Sequence, residues 1–149
     1  MPWVSVQTED FDTDAIVTNL TGGRRDIGAI VSFTGLVRDL PDQSLQSMTL
    51  EHYPAMTEKA IAEIVETAMQ RWDVSDVAVV HRVGELKPSD RIVLVVTASA
   101  HRGDAFLACE YIMDYLKTRA PFWKKEITEA GERWVDAKAS DDEASRRWE

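Results

Sequence analysis

The sequence has little of what most metal and nucleotide sites are built from. It contains a single cysteine, Cys109, which excludes an internal disulfide and a multi-cysteine metal site. The three histidines lie in separate predicted elements without the close spacing of zinc ligands (His52, His81 and His101). No glycine-rich phosphate loop and no Gly-x-Ser-x-Gly motif is present. We therefore expect no metal site, no P-loop or dinucleotide fingerprint and no serine-hydrolase elbow.

Long apolar runs and an excess of positive charge are also missing. No run reaches the length of a membrane-spanning helix, and residues 1–7 lack the basic region and apolar core of a signal peptide. These features predict a protein of the reducing cytoplasm. The 26 acidic and 17 basic residues give a net charge of -9, which argues against a general nucleic-acid binder. A local basic pocket for a small phosphate is compatible with this charge.

Hydrophobic periodicity predicts one domain over residues 1–149 with an α+β, or mixed α/β, order of elements. Amphipathic patterns predict two main helices, at 57–72 and 101–118, and a short helix ends near residue 20. Alternating or β-branched patterns predict about seven strands, at 3–7, 27–37, 46–53, 75–83, 91–99, 122–128 and 133–137. The charged tail, 140–149, is expected to be loose.

A basic segment, residues 117–125, holds four cations and no acid. Lys117 ends a predicted helix, Lys124 lies on the next strand, and Pro121 forces the chain to turn between them. Such a corner can direct both ammonium groups at one anion, and lysine amines can act as nucleophiles or transfer protons. In the alternative interpretation these cations only offset the helix dipole, and Lys125 is simply solvated.

A second polar segment, His101-Arg102, lies where a predicted strand ends and a helix begins. Exposed backbone N–H groups with Arg and His form an anion site there, although the histidine could instead only cap the helix. Lys117 follows His101 by sixteen residues, or about 24 Å along one helix. Two groups so far apart cannot hold the same small ligand within one chain. Either they serve different sites, or a second subunit completes one site in a homodimer.

Several long strings carry a family resemblance. They are Gly28–Arg38, Leu50–Ala60, His81–Glu85, Ser99–Arg102 and Met113–Lys124, followed by Glu132–Val135 and Arg147-Trp148. In this order, and over nearly the whole chain, they closely resemble the catalytic (large) subunit of molybdopterin synthase. The resemblance implies an α/β hammerhead-like fold with an additional antiparallel sheet.

The resemblance also implies a reaction and its partners. This family is a sulfurtransferase of molybdenum cofactor biosynthesis, which converts cyclic pyranopterin monophosphate (precursor Z) to molybdopterin. The sulfur arrives as a thiocarboxylate on the C-terminal Gly-Gly of a small ubiquitin-like subunit, so no cofactor is expected. Two large subunits form a central homodimer in a heterotetramer. The alternative function is a non-enzymatic module that binds a ubiquitin-like tail or a phosphate ligand.

The resemblance assigns roles to individual residues. Lys117 and Lys124 match the catalytic lysines. The substrate-binding positions are matched by Leu36, Val37, Arg38, His101, Arg102, Lys125 and Glu126, and the pocket-lining positions by Phe33, Met113 and Lys138. Two positions depart from relatives: Leu36 stands where a lysine occurs, and Lys138 stands where an arginine can occur, which would lose bidentate phosphate contact but keep the charge.

Overall fold

The computed structural model describes residues 2–135 and 139–149, without the side chain of Ala139. In these ranges the chain forms eight strands and four helices. The strands are β1 (Trp3–Gln7), β2 (Ala29–Leu36), β3 (Ser47–His52), β4 (Asp76–Arg82), β5 (Gly84–Leu86), β6 (Arg91–Ser99), β7 (Phe122–Thr128) and β8 (Gly131–Trp134). The helices are α1 (Thr13–Thr21), α2 (Met56–Arg71), α3 (Arg102–Thr118) and α4 (Ala139–Arg146).

The strands form two four-stranded sheets. In the first sheet the order is β1-β4-β6-β2, with β1 parallel to β4 and the other pairs antiparallel. In the second sheet the order is β5-β3-β7-β8, and every pair is antiparallel. The predicted α+β class with an additional antiparallel sheet is confirmed.

Alternate residues of the first sheet pack on opposite faces, as strand geometry requires. Val77, Val79, Val93 and Val95 face a core that they share with α2 and α3. Ala78, Val80, Leu94 and Val96 face the other side, where Phe11 and α1 cover them. A third cluster, which includes Val37, Leu50 and Val83, draws residues from both sheets. The continuous apolar runs of β4 and β6 therefore reflect burial on both faces.

The tail differs from the sequence-based expectation. Instead of lying loose, residues 139–146 form α4, and Trp148 packs against the α2–α3 core. The Trp148 Nε1 donates to Asp114 Oδ2 at 2.6 Å, and the ring meets Trp72 edge-on. Arg147 also pairs with Asp114, at 2.8 Å. Local sequence gives α4 no apolar stripe, so its placement depends on these contacts with α3.

Candidate functional site

The site lies at one end of the first sheet. Strand register aligns His81 with Val93, and Val93 with Gly35, in a row across β4, β6 and β2. A bulge follows Gly35, after which Leu36 ends β2 and leads to Arg38. The opposite end of the sheet is marked by the start of β4 and the end of β6. The ends of β2 and β4 thus bring the 36–38 segment and His81 to the same end.

Helix α3 carries Lys117 to this end. The helix begins directly after β6 and runs back over the sheet, because Thr97 Oγ1 donates to the Ala105 carbonyl at 2.7 Å near its start. One turn further, Cys109 packs in the same core as Val95. By this direction the last turn, with Lys117, lies over the Val93 end of the sheet. Lys117 is exposed.

The turn after α3 presents Lys124. Thr57 of α2 donates its hydroxyl to the Pro121 carbonyl at 3.2 Å, which fixes the turn against α2. Phe122, the first residue of β7, stacks on His81 with the ring centroids 3.8 Å apart and the planes 18° apart. Lys124 follows two residues later, pointing to the same side of β7 as Phe122. The corner predicted at Pro121 is therefore held by a hydrogen bond and a ring stack.

The charges of both lysines affect the buried ring of His81. Burial, and to a lesser extent the positive charges of Lys124 and Lys117, lower the pKa of His81 to about 4. The bond between His81 Nδ1 and the Arg82 carbonyl, at 2.9 Å, acts in the opposite direction. Helix α3 ends over the end of the sheet where Phe122 stacks on His81, so Lys117 and Lys124 lie on the same side of the molecule.

Lys125 points away from Lys124, because neighbouring side chains of a strand lie on opposite faces. Trp123 and Lys125 point to the face of β7 opposite Phe122 and Lys124. There, Lys125 Nζ lies 3.5 Å from a Glu132 carboxylate oxygen and 5.5 Å from the centre of the Trp134 ring. These contacts already occupy the ammonium group. In the described structure Lys125 thus belongs to the outer face of the second sheet.

Glu126 is buried and paired. It points to the same side as Lys124, is 7% exposed, and accepts a hydrogen bond from Arg133 of β8. It also lines a groove of about 670 Å³ between the 40–46 loop and the β7–β8 hairpin. Its carboxylate therefore supports the hairpin that carries the site.

The residues of β2 and its extension fall into different surroundings. Phe33 lies on the α3 side of the edge strand and is 42% exposed, while Met113 of α3 is half-buried against the core. Leu36, which follows the bulge, is 54% exposed. Val37 is 2% exposed, and its backbone bonds the Asp90 carbonyl and the Ser89 amide. Val37 therefore anchors the 36–38 segment, and the side chain of Arg38 is exposed.

His101 and Arg102 lie at the far end of α3. Both are exposed, and the His101 side chain makes no capping hydrogen bond. The backbone amide of His101 donates to Ser99 Oγ at 3.3 Å. The seventeen-residue helix keeps them about 24 Å from Lys117. Within one chain, the structure does not bring them to the lysines. Lys138 lies outside the described residues.

Sequence reasoning passed over two histidines that meet here. His52 lies 6.5 Å from the Phe122 ring, its Nε2 is 3.8 Å from a Glu58 carboxylate oxygen, and its charge also lowers the pKa of His81. The sequence feature that could have identified His81 is its position directly after the apolar run of β4. Among the described residues, no group of His, Cys, Asp and Glu could hold a metal ion, and no helix is long and apolar enough to cross a membrane.

Comparisons with known proteins agree with this architecture. A sequence profile described as MoaE protein matches residues 6–119. A curated relative from Ralstonia nicotianae, named molybdopterin synthase catalytic subunit, is 60% identical over 149 residues, which cover 99% of this chain and 85% of the relative. The solved molybdopterin biosynthesis MoaE protein of Burkholderia ambifaria has 55% identity and a TM-score of 0.86, over 99% of this chain and 98% of that one. The molybdopterin synthase structure of Staphylococcus aureus has 34% identity and a TM-score of 0.81, over 88% and 95%.

Proposed function

This chain belongs to the MoaE protein family, and we propose that it is the catalytic subunit of a molybdopterin synthase in molybdenum cofactor biosynthesis. It converts cyclic pyranopterin monophosphate to molybdopterin by sulfur transfer. The observation that carries the proposal is the convergence of Lys117 and Lys124 at the sheet end that also bears Arg38. An anionic substrate and an anionic sulfur donor both require such a cluster of cations.

The sulfur comes from a partner. Cys109, the only cysteine, is buried on the inner face of α3, and burial raises the pKa of its thiol to about 12. A thiol in that state is neither nucleophilic nor accessible. The relatives' name, catalytic subunit, also implies a second kind of subunit. The donor is the C-terminal thiocarboxylate of a small ubiquitin-like protein, and the reaction needs no resident cofactor. We place this protein in the cytoplasm.

The two lysines have different roles in this proposal. The donor's thiocarboxylate sulfur bonds to a carbon of the pterin, and water then attacks the carbonyl of the resulting thioester, which leaves the sulfur on the pterin and a carboxylate on the donor. Lys117, exposed at the helix end, lies nearest this carbonyl and stabilises the negative charge that develops on its oxygen when water attacks. Lys124, beside it on β7, assists proton transfer. Arg38 holds an anionic part of the substrate. Both roles require the compact ammonium group of lysine, which the larger planar guanidinium of arginine does not reproduce.

The phosphate is held by a second copy of the chain. Strand β2 is an edge of its sheet and exposes apolar side chains, including Ile30, Phe33 and Leu36. Such an edge favours pairing with another strand. A two-fold axis beside β2 would pair it with its copy in the antiparallel sense and place the start of one β2 against the end of the other. The partner subunit's His101 and Arg102 would then approach Lys117. The complex is a heterotetramer around this homodimer.

The decisive assay combines the chain with thiocarboxylated small subunit and precursor Z, and detects molybdopterin by its fluorescent oxidation product. Lys117→Ala and Lys117→Arg should both lose turnover while retaining affinity for the small subunit. Lys59→Ala, which removes an exposed lysine from α2, is the matched control. If Lys117→Arg is fully active, charge suffices and the amine role is refuted; if wild type forms no product, the protein is only a binding module.

A mixing experiment tests the shared site. Lys117→Ala and Arg102→Ala subunits are each inactive alone, but a mixed dimer has one site with both wild-type residues. Random exchange makes half of the dimers mixed, so about a quarter of wild-type activity should return. No recovery, with subunit exchange proven by mass spectrometry, would place both residues in the same chain's site or in separate sites.

A further inference from the structure

Thr57 joins the start of α2 to the turn that follows α3. The residue is fully buried, with 0% exposure. Its hydroxyl accepts a hydrogen bond from the Tyr53 amide at 3.1 Å and donates to the Pro121 carbonyl at 3.2 Å. Because an amide only donates and a carbonyl only accepts, the hydroxyl proton points to Pro121. This one group therefore connects the end of β3, the first turn of α2 and the turn after α3.

A threonine on the outside of the same helix uses its hydroxyl differently. Thr67, ten residues further along α2, is exposed and donates to the Glu63 carbonyl of its own helix at 2.9 Å. Such a bond stays within the helix. Thr57 instead donates to a carbonyl 64 residues later in the chain. The first turn of α2 thus holds a separate part of the fold, which formation of the helix does not require.

The carbonyl that Thr57 holds lies between the two lysines. Pro121 follows Lys117 by four residues and precedes Lys124 by three. The amides of Arg119 and Phe122 each donate at 2.8 Å to a carbonyl two or four residues earlier. Those bonds shape the turn from within, whereas the threonine hydroxyl joins it to α2. A shift of the Pro121 carbonyl would therefore change the separation of the two ammonium groups.

The strand beside the turn is fixed by the same segment of chain. The register of β3 with β7 places Leu50 opposite Lys124. Directly after β3, the Tyr53 ring meets the Trp123 ring edge-on, with the centroids 5.0 Å apart. Because the Tyr53 amide also bonds the Thr57 hydroxyl, the end of β3 and the start of α2 hold the beginning of β7 together.

We propose that Thr57 is a positioning residue for the sulfur transfer: its hydroxyl holds the Pro121 carbonyl and so sets where β7 presents Lys124 relative to Lys117. A displacement of about 1 Å at catalytic groups can lower a rate by about a hundredfold. Thr57 acts through the turn, since a fully buried side chain does not touch the substrate. The effect on turnover rests on the proposed function; the contact with Pro121 does not.

The contact is tested first, without activity, by NMR of the full chain. Thr57→Val keeps the shape of the side chain but has no hydroxyl, and Thr57→Ser keeps the hydroxyl. In Thr57→Val the Tyr53 amide should exchange its hydrogen at least tenfold faster than in wild type, and the backbone signals of 117–124 should shift. Thr67→Val, which removes a hydroxyl from the exposed side of α2, should do neither. Wild-type exchange at Tyr53, or unmoved 117–124 signals, in Thr57→Val overturns the proposal.

Turnover then separates positioning from a purely structural role. We expect Thr57→Val to lower kcat at least tenfold with less than a threefold change in KM, because the lysines are displaced while the substrate still binds. Thr57→Ser should restore kcat, and Thr67→Val should leave it unchanged. Thr57→Cys keeps a weak donor and should fall below Thr57→Ser, which provides the comparison if Thr57→Val does not fold.

Three outcomes would overturn the positioning role. They are a loss of kcat below tenfold in folded Thr57→Val, a rise in KM that accounts for the loss, and a Thr57→Ser variant no more active than Thr57→Cys. Failure of wild type to transfer sulfur would instead refute the proposed function, and the NMR result on the contact would still stand.

Discussion

Acidification should destabilise this protein well above the range in which its carboxylates titrate. The cause is His81, whose pKa falls from 6.5 to about 4 on folding, chiefly because the ring is buried. Between these values the unfolded chain binds a proton that the folded chain does not. The stability that the neutral ring confers is therefore fully present above pH 6.5 and is lost as the pH falls towards 4.

The magnitude follows from the two pKa values. Linkage gives a loss of about 2 kcal/mol in the free energy of unfolding between pH 7 and pH 5, and about 3 kcal/mol in total. Ion-paired carboxyl groups titrate at lower pH. Hydrogen bonds from Arg91, for example, hold the pKa of Asp10 below its usual value of 3.8. The window from pH 7 to pH 5 thus isolates the histidine. A loss of about 2 kcal/mol is a large part of the stability of an ordinary domain.

The assay is urea unfolding of wild type and His81→Phe at several pH values from 7 to 5, followed by circular dichroism. The variant leaves the Arg82 carbonyl without its bond, which lowers stability equally at every pH and leaves the slope to be compared. We expect the wild-type curve to fall with acid while the variant curve stays nearly flat. His101→Gln controls for the loss of an imidazole. Parallel curves for wild type and His81→Phe would refute the assignment of acid sensitivity to His81.

Three further predictions concern packing. Cys109, whose pKa burial raises to about 12, should react with a disulfide reagent at least a hundredfold more slowly in the native protein than in urea, and rapid native labelling would contradict its inert role. Trp148→Ala removes the indole bond to Asp114 and should cost about 3 kcal/mol by urea unfolding, with faster hydrogen exchange in 139–149; an unchanged midpoint would mean that the tail contacts add nothing. Gly28→Ala would place Cβ 2.3 Å from a backbone oxygen and should lower Tm by more than 5 °C, whereas Gly103→Ala meets nothing within 4 Å and should not; equal Tm values would refute the predicted clash.

The order of helices and strands could be predicted because buried side chains recur periodically along the sequence. The apolar spacing of α2 and the unbroken β-branched run of β6 each predict an element within a few residues of its bounds. Strand β5 has only three residues, and α4 is polar, so neither has a local pattern to recognise. Both are stabilised by contacts with a neighbouring element: β5 pairs with β3, and α4 packs against α3.

Some features of the candidate site could likewise be predicted from the sequence, and others could not. The concentration of cations in 117–125 and the break at Pro121 predict a corner that presents Lys117 and Lys124, and helix length alone predicts that His101 lies too far away to share it. The orientation of Lys125 could have been inferred from strand alternation, once the bounds of β7 were known. That Lys138 lines the pocket stays a prediction.

The sequence by itself determined the class of fold, the family and the two lysines, because periodicity, composition and long matching strings are properties of the chain in order. Only the tertiary structure decided what surrounds those lysines. His81 reads as one more residue of an apolar strand until β7 places Phe122 on its ring and α3 and β7 bring two ammonium groups to it. Burial and charge at a point depend on elements distant in sequence, and no local pattern encodes their meeting.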